Sequence, residues 1–176
     1  MRWYMTKLKT LGQHVVGKRL GHSMAIKVGE YPTIQALRNA YRARGIVLNE
    51  SARQMFCKVS VHLETESVAT AMFLSNDDLR YPSGTQLKNS YGRASMYKLA
   101  PSTHETALLF ALQWGGALSS SGIVLATAPI PCVGGPHLFR VFDLNGVRYV
   151  SGEVGSVNQF FDAHTRFMFT QILRWK

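Results

Sequence analysis

The pair Asn145-Gly146 constrains this chain more than any other local feature. Asn-Gly suits the two positive-φ positions of a type I′ turn, whose twist matches that of paired antiparallel strands. It joins two apolar-rich stretches, 137–144 and 147–154. A two-residue turn also sets the register. Asp143 falls opposite Arg148, Phe142 opposite Tyr149 and Val141 opposite Val150. Opposite charges, two rings and two β-branched residues therefore meet across the strands. Each such pair is favourable by roughly 0.2–1 kcal/mol relative to alanine. The hairpin is thus the seed of an antiparallel sheet.

The rest of the chain is read around it. Thr33 is the N-cap of a helix over 33–44, with Ile34, Leu37, Ala40 and Tyr41 as its buried stripe and Gly45 as its stop. Asn49 caps a second short helix over 50–56. Residues 14–16 and 24–28 suit short strands, and 67–74 suits strand or helix. Strict alternation predicts a strand over 59–64, with Val59, Val61 and Leu63 inward. Ser102 and Glu105 have capping-box spacing before an apolar helix that ends at Trp114, and 123–128 reads as a buried strand. Ser156 and Gln159 repeat that spacing before 157–175, where Val157, Phe161, His164, Met168, Ile172 and Trp175 line one face of an expected helix. The expected fold is α+β, a single domain over 1–176. Its antiparallel sheet is packed by the 103–114 and 157–175 helices, with a basic, helix-containing segment over 1–58 and a near-neutral scaffold over 59–176.

Charge is the strongest functional signal. Residues 1–58 hold eleven Lys and Arg against two acids, Glu30 and Glu50, which accounts for nine of the ten net positive charges. At 46% apolar residues the chain can build a core, so it is not a disordered basic tail. Unpaired surface cations attract nucleic acid, anionic headgroups or acidic proteins. The residues expected to meet such an anion are Lys18, Arg19, Arg38, Arg42, Arg44, Arg53 and Lys58, joined by Lys88 and Arg93 further on. Arg38 and Arg42, one helical turn apart, share a face.

Two helices joined through Gly45 have the outline of a helix-turn-helix, but the bulky Tyr41 stands four before the turn glycine and the second helix offers few base-reading side chains. Lys88, Tyr91, Arg93, Tyr97 and Lys98 interleave cations with rings. They suit either a single-strand contact or a twisted strand with ordinary surface cations. Cys57, His62 and Glu64 have the residue types of a nucleophile, base and orienter, but nothing in their spacing forces them together. The six histidines show no zinc-ligand spacing, and the carboxylates are too scattered for a metal-dependent nuclease. The glycine-rich stretch 115–122 lacks the lysine and helix start of a phosphate loop, and 134–137 reads as a turn rather than an oxyanion loop. No metal or cofactor is expected. Two cysteines, no long apolar run and no signal-peptide core suggest an intracellular, cytoplasmic protein without a membrane span. The leading expectation is a non-enzymatic nucleic-acid-binding protein, regulatory or packaging in role, that grips phosphates with its basic third. A module gripping an acidic protein, for example as an inhibitor, and a small enzyme on a phosphate-bearing substrate are the alternatives. Oligomeric state is not readable from these residues.

Overall fold

The Asn145-Gly146 turn forms as its chemistry predicts, with φ of 52° and 77° at its two residues. It joins β8 (Gly135–Leu144) to β9 (Val147–Val154). The three expected pairs all face each other in the ladder. The structure, a computed structural model, describes residues 22–59 and 67–172.

The hairpin belongs to a sheet of nine strands among the described residues. Its path runs β1 (Ser23–Val28), β3 (Ser67–Ser75), β11 (Arg166–Gln171), β6 (Ile123–Leu125), β8, β9 and β2 (Val47–Leu48). β5 (Leu99–Ala100) adds to β11, and β7 (Ile130–Cys132) to β8. Two pairs are parallel, β11 with β6 and β2 with β9; the others are antiparallel. A separate ribbon pairs β4 (Thr85–Gln86) with β10 (Phe160–Phe161). Helices cover both faces. On one lie α1 (Ile34–Ala43), α2 (Glu50–Phe56) and α4 (His104–Gln113), over a core that includes Phe73, Phe139, Val141, Val150 and Met168. On the other lie α3 (Leu87–Met96) and the ribbon, over Leu74, Val124, Leu138, Phe167 and Phe169. This is a single-domain α+β fold.

The first two caps are those expected. Thr33 accepts from the Ala36 N–H at 3.1 Å, and Asn49 from the Ala52 N–H at 2.8 Å. α4 is buried from Glu105 to Leu112, but its cap is Thr103 rather than Ser102. The Ser102 hydroxyl lies 2.7 Å from that of Thr170, and Glu105 accepts from the Gly29 N–H instead of closing a capping box.

Other expectations are overturned. Residues 157–172 form no helix; they fold as a turn, β10, a second turn and β11. Asp162 organises the second turn, its Oδ1 accepting from the N–H groups of His164 and Thr165. β11 lies between β3 and β6, so Phe167, Met168 and Phe169 are all buried, alternating between the two cores. A strand covered on both faces shows a continuous apolar run, which periodicity cannot separate from a helix. Residues 87–96 are a helix, not a twisted strand, and bury Leu87, Ser90 and Ala94. The helix-turn-helix outline fails because β2 intervenes between α1 and α2 and pairs with β9. Of the expected strands, 14–16 lies outside the described residues, as does 59–64 beyond Val59.

The end of α4 depends on the hairpin. Arg148 donates to Asp143 through Nε at 2.9 Å and Nη2 at 3.1 Å. Its remaining donors reach the carbonyls of Ala111, Trp114 and Gly116. The Arg148 and Asp143 side chains are only 16% and 15% exposed. Removing one partner of such a pair strands the other, so Arg148→Met should lower stability by about 3 kcal/mol in urea unfolding. The bond from Arg148 holds the Asp143 carboxyl below its usual range, against the opposing effect of burial and with help from the Leu118 N–H. A depressed folded pKa means that this stabilisation is present above the unfolded value and is lost as pH falls through the lower folded one. Asp143→Asn should therefore flatten the acid limb of the stability–pH profile; an unchanged limb would show that Asp143 does not contribute to it.

Candidate anion-binding cleft between two helices

A cleft of about 520 Å³ opens where α1, β2 and α2 meet. Three arginines line it, Arg38 and Arg42 from α1 and Arg53 from α2. Tyr41, Ile46, Val47 and Leu48 supply an apolar floor, and Cys57 lies at the end of α2. The geometry follows from the α1 stripe. Leu37 and Tyr41 turn into the core, and the Tyr41 hydroxyl donates to the Leu108 carbonyl of α4 at 2.6 Å. Arg38 and Arg42, one turn apart, are then left at the cleft. β2 closes the floor by pairing with β9.

The three cations are held differently. The Arg38 guanidinium lies 5.9 Å from the centroid of the Phe56 ring, and its Nη2 is 3.1 Å from Cys57 Sγ. These contacts orient it without neutralising it. Arg53 is 3.7 Å from Glu50, but both side chains are mostly exposed, so water competes strongly with the pair. Arg42 makes no ion pair among the described residues. Guanidinium groups so placed can bind phosphate or carboxylate in bidentate fashion. Burial drives the Tyr41 phenol well above its ordinary pKa, with Arg148 opposing, so it remains a proton donor to Leu108 and offers no base.

The other expected anion contacts are dispersed. Arg44 donates to the Leu112 carbonyl at the end of α4. Lys58 Nζ donates to the Pro131 carbonyl at 2.5 Å, and Lys88 Nζ to Asn158 Oδ1 at 3.0 Å. Arg93 packs over the Tyr81 ring, 5.4 Å from its centroid. Lys18 and Arg19 lie outside the described residues. On α3, the Tyr91 hydroxyl donates to Thr127 and its ring packs edge-on against Phe169, so it is not free to stack a base. Burial pushes the Tyr91 phenol up.

Among the described residues the candidate catalytic groups are not gathered. His62 and Glu64 lie outside the described residues. His137 pairs with Val154, while Glu153 pairs with Leu138. Neighbouring strand residues point to opposite faces, so His137 and Glu153 do too. Burial raises the Glu153 carboxyl, against Arg140 and together with Asp162. Arg140 Nε sits 2.6 Å from Glu153 Oε2, a close ion pair on the face away from α4. No group of three metal-ligating side chains occurs among the described residues. No described helix is long and apolar enough to cross a membrane.

The apolar floor was not foreseen. Its one sequence signal is Val47-Leu48, apolar residues held between the Gly45 stop and the Asn49 cap. Comparison of the chain with protein-family models, with curated proteins and with solved structures finds no match.

Cys57 reports on the cleft. It is exposed, whereas Cys132 is half-buried. Maleimide should label Cys57 first, and a bound polyanion should slow that labelling by blocking access. Equal labelling rates with and without the polyanion would place its binding elsewhere.

Proposed function

We propose that this is a non-enzymatic nucleic-acid-binding protein that holds phosphates in the cleft through Arg38, Arg42 and Arg53. The observation carrying this reading is the convergence of three arginines, from two helices, in one cleft of a chain with a net charge of +10. Lys18, Arg19, Lys58, Lys88 and Arg93 would extend the electrostatic footprint, while Arg44 would contribute at longer range. A regulatory or packaging role and a cytoplasmic location belong to the same reading, and two free cysteines support the location.

Phosphate contact releases counterions, so affinity should fall linearly on a log–log salt plot, with a slope near −0.9 per neutralised phosphate on duplex DNA. Changing Arg38, Arg42 and Arg53 together to alanine should reduce that slope by about 2 to 3 and weaken binding across unrelated sequences alike. The cleft arginines make few fold contacts, so the thermal midpoint should move little. Absence of binding to any nucleic acid at low salt would end the proposal.

The apolar floor supports a second reading, an acidic protein partner that seats one large side chain between the arginines. Nuclease-insensitive, saturable capture of a single protein through the same three arginines would favour it.

A further inference from the structure

We infer that the sheet face reached from the cleft around the β2 edge is a stacking platform for single-stranded nucleic acid, built on Phe142 and Tyr149. The inference rests on the nucleic-acid reading of the cleft and adds the form of the ligand. Phe142 and Tyr149 are a cross-strand pair whose rings lie nearly parallel, 11° apart with centroids at 5.5 Å. Both are half-buried. The core beneath α3 includes Leu138 and Val124 on this face but neither ring. Around the rings the face is apolar and open. Leu144 pairs with Val147, and they are 47% and 37% exposed.

The platform lies on the sheet face opposite α1 and α2, and it meets the cleft around the sheet edge at β2. Val47, 38% exposed, lines the cleft and pairs with Tyr149, so it shares that residue's sheet face. Adjacent strands lie about 4.8 Å apart. From the cleft rim at Val47, Tyr149 is one strand away and Phe142 two. A chain whose phosphates sit among Arg38, Arg42 and Arg53 would round the β2 edge at Val47 and lay its following bases on these rings. The nearest cation on the platform, Arg140, is already paired with Glu153, so charge comes from the cleft and π-surface from the hairpin.

This division selects a single strand. A duplex keeps its base faces stacked inside, whereas a single strand exposes them, and every base has a π-face. Such recognition is tolerant of sequence, and alanine substitution of a stacking ring weakens binding severalfold to a hundredfold. An acidic polypeptide would satisfy the arginines but make little use of two stacked rings.

The test compares fluorescent oligo-dT and oligo-rU of about 12 nucleotides with a duplex of equal length, at low salt, by anisotropy. The full chain should bind either single strand at least about tenfold more tightly than the duplex. The double variant Phe142→Leu with Tyr149→Leu keeps apolar bulk on the sheet. It should lose about tenfold or more for single strands and leave duplex binding unchanged. A duplex preference, or a variant with wild-type melting that binds single strands normally, overturns the platform. Loss of binding in the cleft-arginine variant would then leave the phosphate reading standing alone, and wild-type binding to neither form removes both. Should the leucines unfold the protein, irradiation of the wild type with an iodouracil-bearing strand decides the matter. Adducts at Tyr149 or Phe142 support the platform, and adducts confined to α1 and α2 overturn it. Displacement of the strand by polyglutamate at equal charge would also overturn it, in favour of an acidic protein.

Discussion

The clasp of Arg148 on the end of α4 is the interaction on which the rest of the structure depends. α4 is apolar on nearly every side and sunk in the core, so its last carbonyls have little access to water. An unpartnered buried carbonyl costs about 1–3 kcal/mol. Gly115 and Gly116 follow the helix and bring no side chain to help. Arg148 answers three carbonyls, and Arg44 answers a fourth at Leu112. Asp143 balances the buried charge of Arg148 and also accepts from the Leu118 N–H. A cross-strand pair set by a two-residue turn thus terminates a helix distant from it in sequence.

The cleft inherits its shape from that arrangement. α1 rests on α4 through the Tyr41–Leu108 hydrogen bond, which sets where Arg38 and Arg42 stand. α2 is fixed to the hairpin by Asn49. Its Oδ1 accepts from Ala52 within the helix and from the Gly152 N–H of β9 at 3.2 Å. Gly152 permits this approach, because a Cβ there would lie 2.7 Å from the Ser51 Cβ and 2.9 Å from Met55 Sδ. Arg53 is therefore positioned by β9, and Arg38 and Arg42 by α4. Both supports lead back to the hairpin.

What was legible in the sequence was local. The hairpin register, the Thr33 and Asn49 caps and the extent of α1, α2 and α4 follow from a few adjacent residues with distinct chemistry. The segment after Ser156 misled because its meaning is not local. Phe167-Met168-Phe169 is an apolar run whose strand character comes from β3 and β6 on either side, far away in sequence. Capping-box spacing misled twice, at Ser102 and at Ser156. At Ser102 the hydroxyl and carboxylate found tertiary partners, and after Ser156 no helix formed. In the site, the helical spacing of Arg38 and Arg42 was enough to pair them. Charge alone could not separate them from Arg44, two residues on, because only the packed structure brings the Leu112 carbonyl to Arg44. The apolar floor was hidden for the same reason, since β2 is two residues long and exists only through β9.

The arginines therefore divide by what their guanidinium groups face, not by where they fall in the chain. Arg44 and Arg148 donate to part-buried backbone carbonyls, and Arg140 faces a half-buried carboxylate. A carboxylate offsets the charge of Arg148 and of Arg140, and a carbonyl takes up the donor edge of Arg44. Arg38, Arg42 and Arg53 face an open cleft, with a ring, a thiol and one solvent-screened carboxylate as their described companions. A guanidinium in that setting keeps both its charge and its planar donor edge for an incoming anion. All three of those arginines lie within ten residues of Arg44, so neither net charge nor charge density distinguishes a structural cation from a binding one in this chain. The distinction is whether packing has already supplied the acceptor.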